Sequence, residues 1–231
     1  MEIKEIARIR TDFPEKFGIP RQSGRVAELR GEITFLPEYQ SREALRGLEG
    51  YSHIWLVWGF SANSHGAWSP TVRPPRLGGN RRVGVFATRS PYRPNPLGLS
   101  VVRLEGIELD GKDAPRLIVS GADLMDGTPI YDIKPYLPHA DAIDGARGGF
   151  SADFVDYALD VDFSDELLSL LPEDKRAAAV AVLAEDPRPS YQDDPEREYG
   201  MSFGGFEIYF KVKDGTLTVG RVEKTALPFS Q

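Results

Sequence analysis

Seven short runs of β-branched, aromatic and aliphatic residues, cut apart by Gly, Pro and Asp-Gly, set the strongest limit on what this chain can build. They are EIKEIARIR (2–10), RVAELRGEITFL (25–36), SHIWLVWGF (52–60), RRVGVFATR (81–89), LSVVRLEGIEL (99–109), PRLIVSGADL (115–124) and PIYDIKPYL (129–137). Runs of this length and composition read as strands, and the breakers between them read as turns. No long helical pattern alternates with them, so parallel βαβ units are excluded and an antiparallel sheet curling into a barrel is expected. One helical insertion, SREALRGL (41–48), is expected to start from a cap at Ser41. After about Asp162 the pattern changes. SDELLSLLPEDKRAAAVAVLAEDP (164–187) is helical, with Ser164 as a cap and Pro172 dividing it, and GFEIYFKVKDGTLTVGRVE (205–223) reads as a hairpin turning at Asp214-Gly215. The expected fold is mainly β: an N-terminal antiparallel β-barrel domain over 1–161 and a small α+β domain over 162–231.

Several chemistries are excluded by what the chain does not contain. There is no cysteine, hence no disulfide, thiolate ligand or thiol nucleophile. His53, His65 and His139 have no metal-ligand spacing, and no metal is expected. No phosphate-cradling G-x-x-x-x-G-K-[ST], no strand-to-helix G-x-G-x-x-G and no G-x-S-x-G elbow occurs. No apolar run approaches the roughly 20 residues of a membrane-spanning helix, and MEIKEIARIR lacks a secretion h-region. No membrane association and a cytoplasmic address are therefore expected.

Charge is unevenly spread. Between Gly50 and Leu104 the chain carries seven arginines, no lysine and no acid, so the overall net charge of -7 divides into +7 there and -14 elsewhere. Partners sense local potential over about a Debye length, so a polyanion remains a candidate despite the acidic mean. Arginine's planar fork suits phosphate and carboxylate. Within this region Arg89-Ser90-Pro91-Tyr92-Arg93-Pro94-Asn95-Pro96 is stiffened by three prolines, which holds Arg89 and Arg93 beside Tyr92 as an anion-and-ring pocket. ADLMDGTPIYDIKPY (122–136) sets Asp123, Asp126 and Asp132 around a Gly-Thr-Pro turn. From the residues alone three readings stand: surface ion pairs and turn chemistry, a nonenzymatic RNA-binding module, or an enzyme gripping a small anionic metabolite with Arg89 and Arg93.

PTVRPPRLGGNRRVGVFATRSPYRPNPLGLS (70–100), ADLMDGTPIYDIKPYLP (122–138), FGIPRQSG (17–24) and DPRPSY (186–191) together resemble the TrmO family, also called TsaA-like proteins. The resemblance implies a β-barrel methyltransferase, commonly a homodimer, that uses S-adenosylmethionine without a Rossmann domain. For members with this two-domain layout it implies a tRNA substrate engaged at the anticodon loop, methylated at N6 of the threonylcarbamoyladenosine at position 37. It assigns the cofactor pocket to Gln22, Ser23, Gly24, Ser61, Ala62, Arg89, Leu99, Met125, Asp126, Gly127 and Thr128. The chain departs from other members at Ser61 and Ala62, where bulkier polar side chains occur, and at Ser23, where some carry proline.

Methyl transfer to a carbamoylated N6 is helped by removing its proton, and Asp126 or Asp132 is the expected general base. Holding carbon and nitrogen in line can supply much of the rate instead. Tyr92 and Tyr131 are the candidates for stacking on a splayed base. Arg73, Arg76, Arg81 and Arg82 cluster around PPRLGGN and are expected to form the RNA-docking face, with Arg89 and Arg93 nearer the reacting centre.

Overall fold

In the computed structural model, residues 2–61, 68–74, 77, 81–154, 157–189 and 194–225 are described. The strands are β1 (Ala7–Arg10), β2 (Arg30–Phe35), β3 (His53–Gly59), β4 (Thr71–Val72), β5 (Val83–Gly84), β6 (Leu97–Glu108), β7 (Arg116–Ser120), β8 (Thr128–Pro135), β9 (Asp160–Asp162), β10 (Tyr199–Phe203), β11 (Phe206–Lys213) and β12 (Thr216–Lys224). The helices are α1 (Pro138–Asp141), α2 (Asp165–Leu168) and α3 (Glu173–Ala184). None of these helices is long and apolar enough to cross a membrane.

Six strands close into a barrel in the order β1-β2-β7-β6-β3-β8, and every pair is antiparallel. Alternation explains the closure. Ala7 and Ile9, Ile33 and Phe35, Ile54 and Leu56, and Leu117 and Val119 fall two apart on their strands and all point into one buried core.

Two expected elements differ. RRVGVFATR is not a barrel strand: only Val83 and Gly84 pair, with β4, and a 3-10 turn follows at Val85–Ala87. Only Val85 of that turn is buried, and its amide donates to Pro70 O at 3.0 Å, which folds the segment back on β4 and leaves Phe86 outside. SREALRGL forms 3-10 turns at Glu43–Leu45 and Leu48–Gly50, with no side-chain cap from Ser41. Gly47, at φ 87°, separates the two turns, and an α-helix cannot run through that conformation.

The second sheet has the order β10-β11-β12-β9. The β11–β12 hairpin turns at Asp214 (φ 51°) and Gly215 (φ 81°), the positive pair that a two-residue turn of matching twist requires. Ser164 caps α2 by accepting the Leu167 amide at 3.3 Å, and Pro172 stands at the N-cap of α3. β9 pairs parallel with β12, so this sheet begins at Asp160, ahead of residue 162.

The two layers share a piece of chain. Phe13, Val26 and Leu29, in the connection between β1 and β2, are buried in the core formed by α3 and the second sheet. Phe13 meets Phe203 edge-on at 5.3 Å, and Asp12 pairs with Lys175 at 2.5 Å. The connection therefore lies between barrel and second domain, held by both.

Candidate active site

Where this connection passes the barrel, a cavity of about 460 Å³ opens between Ile19–Gln22, the ends of β3 and β6, and the 122–128 turn. One wall is apolar, from Trp58, Phe60, Leu97, Leu99 and Leu124. Trp58 lies over Gly98, where a Cβ would run into the indole ring, so only glycine admits this packing. The indole donates from Nε1 to Ser100 Oγ at 2.9 Å, and Ser100 donates to Asp123 Oδ1 at 2.6 Å. Asp123 thus stands at the cavity bonded to Ser100 on β6, which Trp58 on β3 holds in turn. Burial pushes its carboxyl pKa up, against the lowering effects of the Ser100 bond, backbone N–H donation from Asp123 itself and from Ser23, and the charge of Arg89.

Charge on the wall is lopsided. Lys16, Arg21, Arg89 and Arg93 line the cavity, whereas Asp123 is the one carboxylate among the described lining residues. Arg89 donates from Nη1 to Gln22 Oε1 at 2.5 Å, joining the arginine-rich segment to the β1–β2 connection. Arg93 turns inward on its own loop, donating to Ser90 O at 2.9 Å, to Val85 O at 3.3 Å and to Thr88 O. It holds the proline segment in shape while still reaching the wall.

Of the residues assigned to cofactor binding, Gln22, Ser61, Arg89, Leu99, Met125 and Thr128 come together on the cavity. Ser23, Gly24, Asp126 and Gly127 stand behind it. Ser23 Oγ accepts the Val101 amide at 3.2 Å, and Gly24 donates to Gly121 O at 2.8 Å. A Cβ on Gly121 would sit 3.3 Å from Gly24 Cα, so the two backbones touch there. Asp126 accepts the Thr11 amide at 3.0 Å and donates its own N–H to Phe13 O at 2.8 Å, while Gly127 donates to Ile9 O at 2.9 Å. These bonds lash the 122–128 turn to the β1–β2 connection. Ala62 and Arg76 lie outside the described residues.

The other assigned residues separate. Asp132 does not line the cavity; it accepts the Ile133 amide at 2.9 Å and pairs with Lys134 at 2.8 Å. Tyr131 packs over Gly59, where a Cβ would lie 2.6 Å from its hydroxyl. Tyr92 is half exposed. Arg73, Arg81 and Arg82 are exposed around β4 and β5, with Arg82 donating to Thr71 Oγ1 at 2.9 Å. Among the described residues, no cluster of acids and histidines could hold a metal ion.

Sequence reasoning groups Asp123 with its neighbours but places the chemistry on Asp126 and Asp132. A signal is present: Asp123 sits between Ala122 and Leu124, both buried, three residues past the end of β7. Trp58 and Ser100 give none beyond ordinary strand composition.

Two family profiles match: the tRNA-methyltransferase O N-terminal domain over residues 8–142 and the TrmO C-terminal domain over residues 156–225. The tRNA (adenine(37)-N6)-methyltransferase of Escherichia coli (strain K12) is 40% identical over 230 residues, spanning 96% of this chain and 97% of that protein. A Pseudomonas aeruginosa protein, provisionally named an S-adenosylmethionine-dependent methyltransferase, is 44% identical over 216 residues, spanning 90% and 91%. The crystal structure of TrmO from Pseudomonas aeruginosa superposes with a TM-score of 0.77 at 36% identity, covering 96% of this chain and 98% of that one.

Proposed function

Because the chain belongs to the TrmO family in both of its domains, we propose that it transfers the methyl group of S-adenosylmethionine to N6 of adenosine 37 in tRNA. We propose further that the adenosine acted on carries a threonylcarbamoyl group. The observation that carries this reading is the cavity itself, which combines an apolar aromatic wall, an arginine fixed at Gln22 and one half-buried carboxylate.

The residues fit the cofactor. The volume lies within the roughly 300–1,000 Å³ of small-molecule sites. A flat adenine suits the Trp58 and Phe60 side, whose rings lie 4.4 Å apart, and a cofactor carboxylate suits the Arg89 fork. When bound, S-adenosylmethionine supplies a methyl carbon made electrophilic by its sulfonium. The chain's part is to hold that ligand, keep water from the apolar wall and present N6 in line with the methyl carbon. Asp126 serves this by fixing the 122–128 turn through Thr11, and Asp132 stays with Lys134. Positioning therefore does most of the work, and the N6 proton passes to water at the cavity mouth.

For the RNA, Arg73, Arg81 and Arg82 offer exposed charge for phosphates and Tyr92 a half-exposed ring for an unstacked base. A homodimer is supported by Trp68 and Phe86, which are 51% and 79% exposed on neighbouring segments. A cytoplasmic location follows from the substrate.

The test is mass spectrometry of tRNA incubated with the protein and S-adenosylmethionine, with and without prior threonylcarbamoylation. One methyl group gained at position 37 only on the threonylcarbamoylated tRNA is expected. No gain on either tRNA overturns the reading.

A further inference from the structure

We propose that Thr11 is a positioning residue for the cofactor: its hydroxyl holds the Leu124–Met125 stretch of the cavity wall in place, and so sets affinity for S-adenosylmethionine apart from affinity for tRNA. This rests on the cofactor reading of the cavity given above.

The geometry begins where the β1–β8 ladder stops. The two strands pair as far as Ile9 and Thr128, and Gly127 still donates its amide to Ile9 O at 2.9 Å. Beyond that point side chains take over the cross-links. Thr11 donates its amide to Asp126 Oδ1 at 3.0 Å and its hydroxyl to Leu124 O at 2.9 Å, and the same hydroxyl accepts the Phe13 amide at 3.3 Å. Asp126 in turn donates its amide to Phe13 O at 2.8 Å. A hydroxyl both donates and accepts, so at Thr11 it joins two stretches of backbone at once.

These bonds bear on the cavity wall. Leu124, Met125 and Thr128 line the cavity, and Thr11 stands behind them. Thr11 grips the Leu124 carbonyl from outside the turn, while the next carbonyl, Met125 O, accepts the Thr128 hydroxyl at 2.7 Å from within it. The wall is therefore pinned on both sides of Met125 by threonine hydroxyls. The outer pin leads away from the site: Phe13, whose amide it accepts, is buried in the core of the second domain.

The consequence follows from removing the hydroxyl alone. Leu124 O and Phe13 N then lose this partner together, and backbone groups left unpaired away from water drive the turn to rearrange. Valine has the shape of threonine without its hydroxyl, so the two apolar cores keep their packing while the wall loosens. The exposed arginines around β4 and β5 are not touched, and docking of tRNA is left as it was.

Calorimetry and steady-state kinetics on the whole protein test this with Thr11→Val and Thr11→Ser. Thr11→Val is expected to raise Kd and KM for S-adenosylmethionine about tenfold. Its kcat at saturating cofactor and its KM for threonylcarbamoylated tRNA are expected to stay within about threefold of the wild type. Thr11→Ser, which keeps the hydroxyl, is expected to bind the cofactor within about threefold of the wild type. Unchanged cofactor affinity in Thr11→Val, or a KM for tRNA raised as much as that for the cofactor, overturns the proposal. A wild type that binds no S-adenosylmethionine removes the cofactor reading instead. If Thr11→Val does not fold, amide hydrogen exchange of the wild type reads the same joint. Saturation with cofactor is expected to slow exchange of the Thr11, Phe13 and Asp126 amides about tenfold. The Asp160 amide, bonded to Gly215 O at 3.1 Å in the second sheet, is expected to stay within about twofold. No slowing at the first three, or equal slowing at all four, overturns the proposal.

Discussion

Arg25 and Glu185, 160 residues apart, form an ion pair in which Nε donates to both carboxylate oxygens at 3.1 and 3.0 Å and Nη2 to one at 2.8 Å. Arg25 follows Gln22, Ser23 and Gly24 in the β1–β2 connection, and Glu185 closes α3. With side chains 27% and 14% exposed, the pair is more sheltered than an ordinary surface bridge. It fastens one wall of the cavity to the second domain.

Glu185→Gln is therefore expected to lower stability by about 1–3 kcal/mol and to weaken binding of S-adenosylmethionine. The two effects are read by urea unfolding and by calorimetry on the folded protein. Exchanging the residues, Arg25→Glu with Glu185→Arg, should recover part of both. Loss of stability with cofactor affinity unchanged would separate the second domain from the shaping of the site.

Arg89→Ala is expected to reduce kcat/KM by at least about a hundredfold, the scale seen when one partner of a hydrogen-bonded charge pair is removed. Circular dichroism should stay that of the wild type, because the Arg89 bond to Gln22 lies at the cavity and not in either core. Arg89→Lys should recover little, since a point charge cannot reproduce the fork. Wild-type turnover in a folded Arg89→Ala protein would remove this residue from the site.

The raised carboxyl pKa of Asp123 makes a stability prediction with a definite sign. Between the unfolded value and the raised folded one, the folded protein binds more protons, so stability falls as pH rises through that window. Asp123→Asn has no such loss and is expected to exceed the ligand-free wild type in stability by a margin that widens from pH 4 to pH 7. Chemical unfolding at intermediate steps measures the margin. A margin constant with pH would mean that Asp123 is not held at a raised pKa.

The residues explain which features the sequence makes legible. The barrel strands are readable because Ile33 with Phe35 and Ile54 with Leu56 each bury alternate positions, a local signal of period two. Val83–Gly84 misleads because its neighbours are β-like in type, yet folding back on Pro70 depends on a contact beyond the run. Asp123 does not stand out because its hydrogen-bond donor is Ser100 on β6, itself held by Trp58 on β3, and no window around residue 123 contains either. The placement of Phe13, Val26 and Leu29 in the second core is equally hidden, since their partners lie beyond residue 158.

Arg81 and Arg82 lead into β5 on the exposed excursion from the barrel, while Arg93 spends its donors on the carbonyls of its own loop and Arg89 binds Gln22 at the cavity. The proposed division of roles follows this separation, with the first two at phosphate contacts and the last two at the site. Arg82 is exposed and donates to Thr71 Oγ1 at 2.9 Å, a neutral contact. Removing one phosphate-binding cation should reduce the slope of log affinity against log salt by about 0.7 to 0.9, so Arg81→Glu with Arg82→Glu should flatten it by about 1.4 to 1.8. Affinity for tRNA should fall at every salt concentration, and most at the lowest. Binding of S-adenosylmethionine, measured without RNA, should stay at the wild-type value, because neither side chain lines the cavity. A double variant that binds tRNA with unchanged slope would return both arginines to the solvated surface, and one that loses the cofactor as well would show that the excursion shapes the site directly.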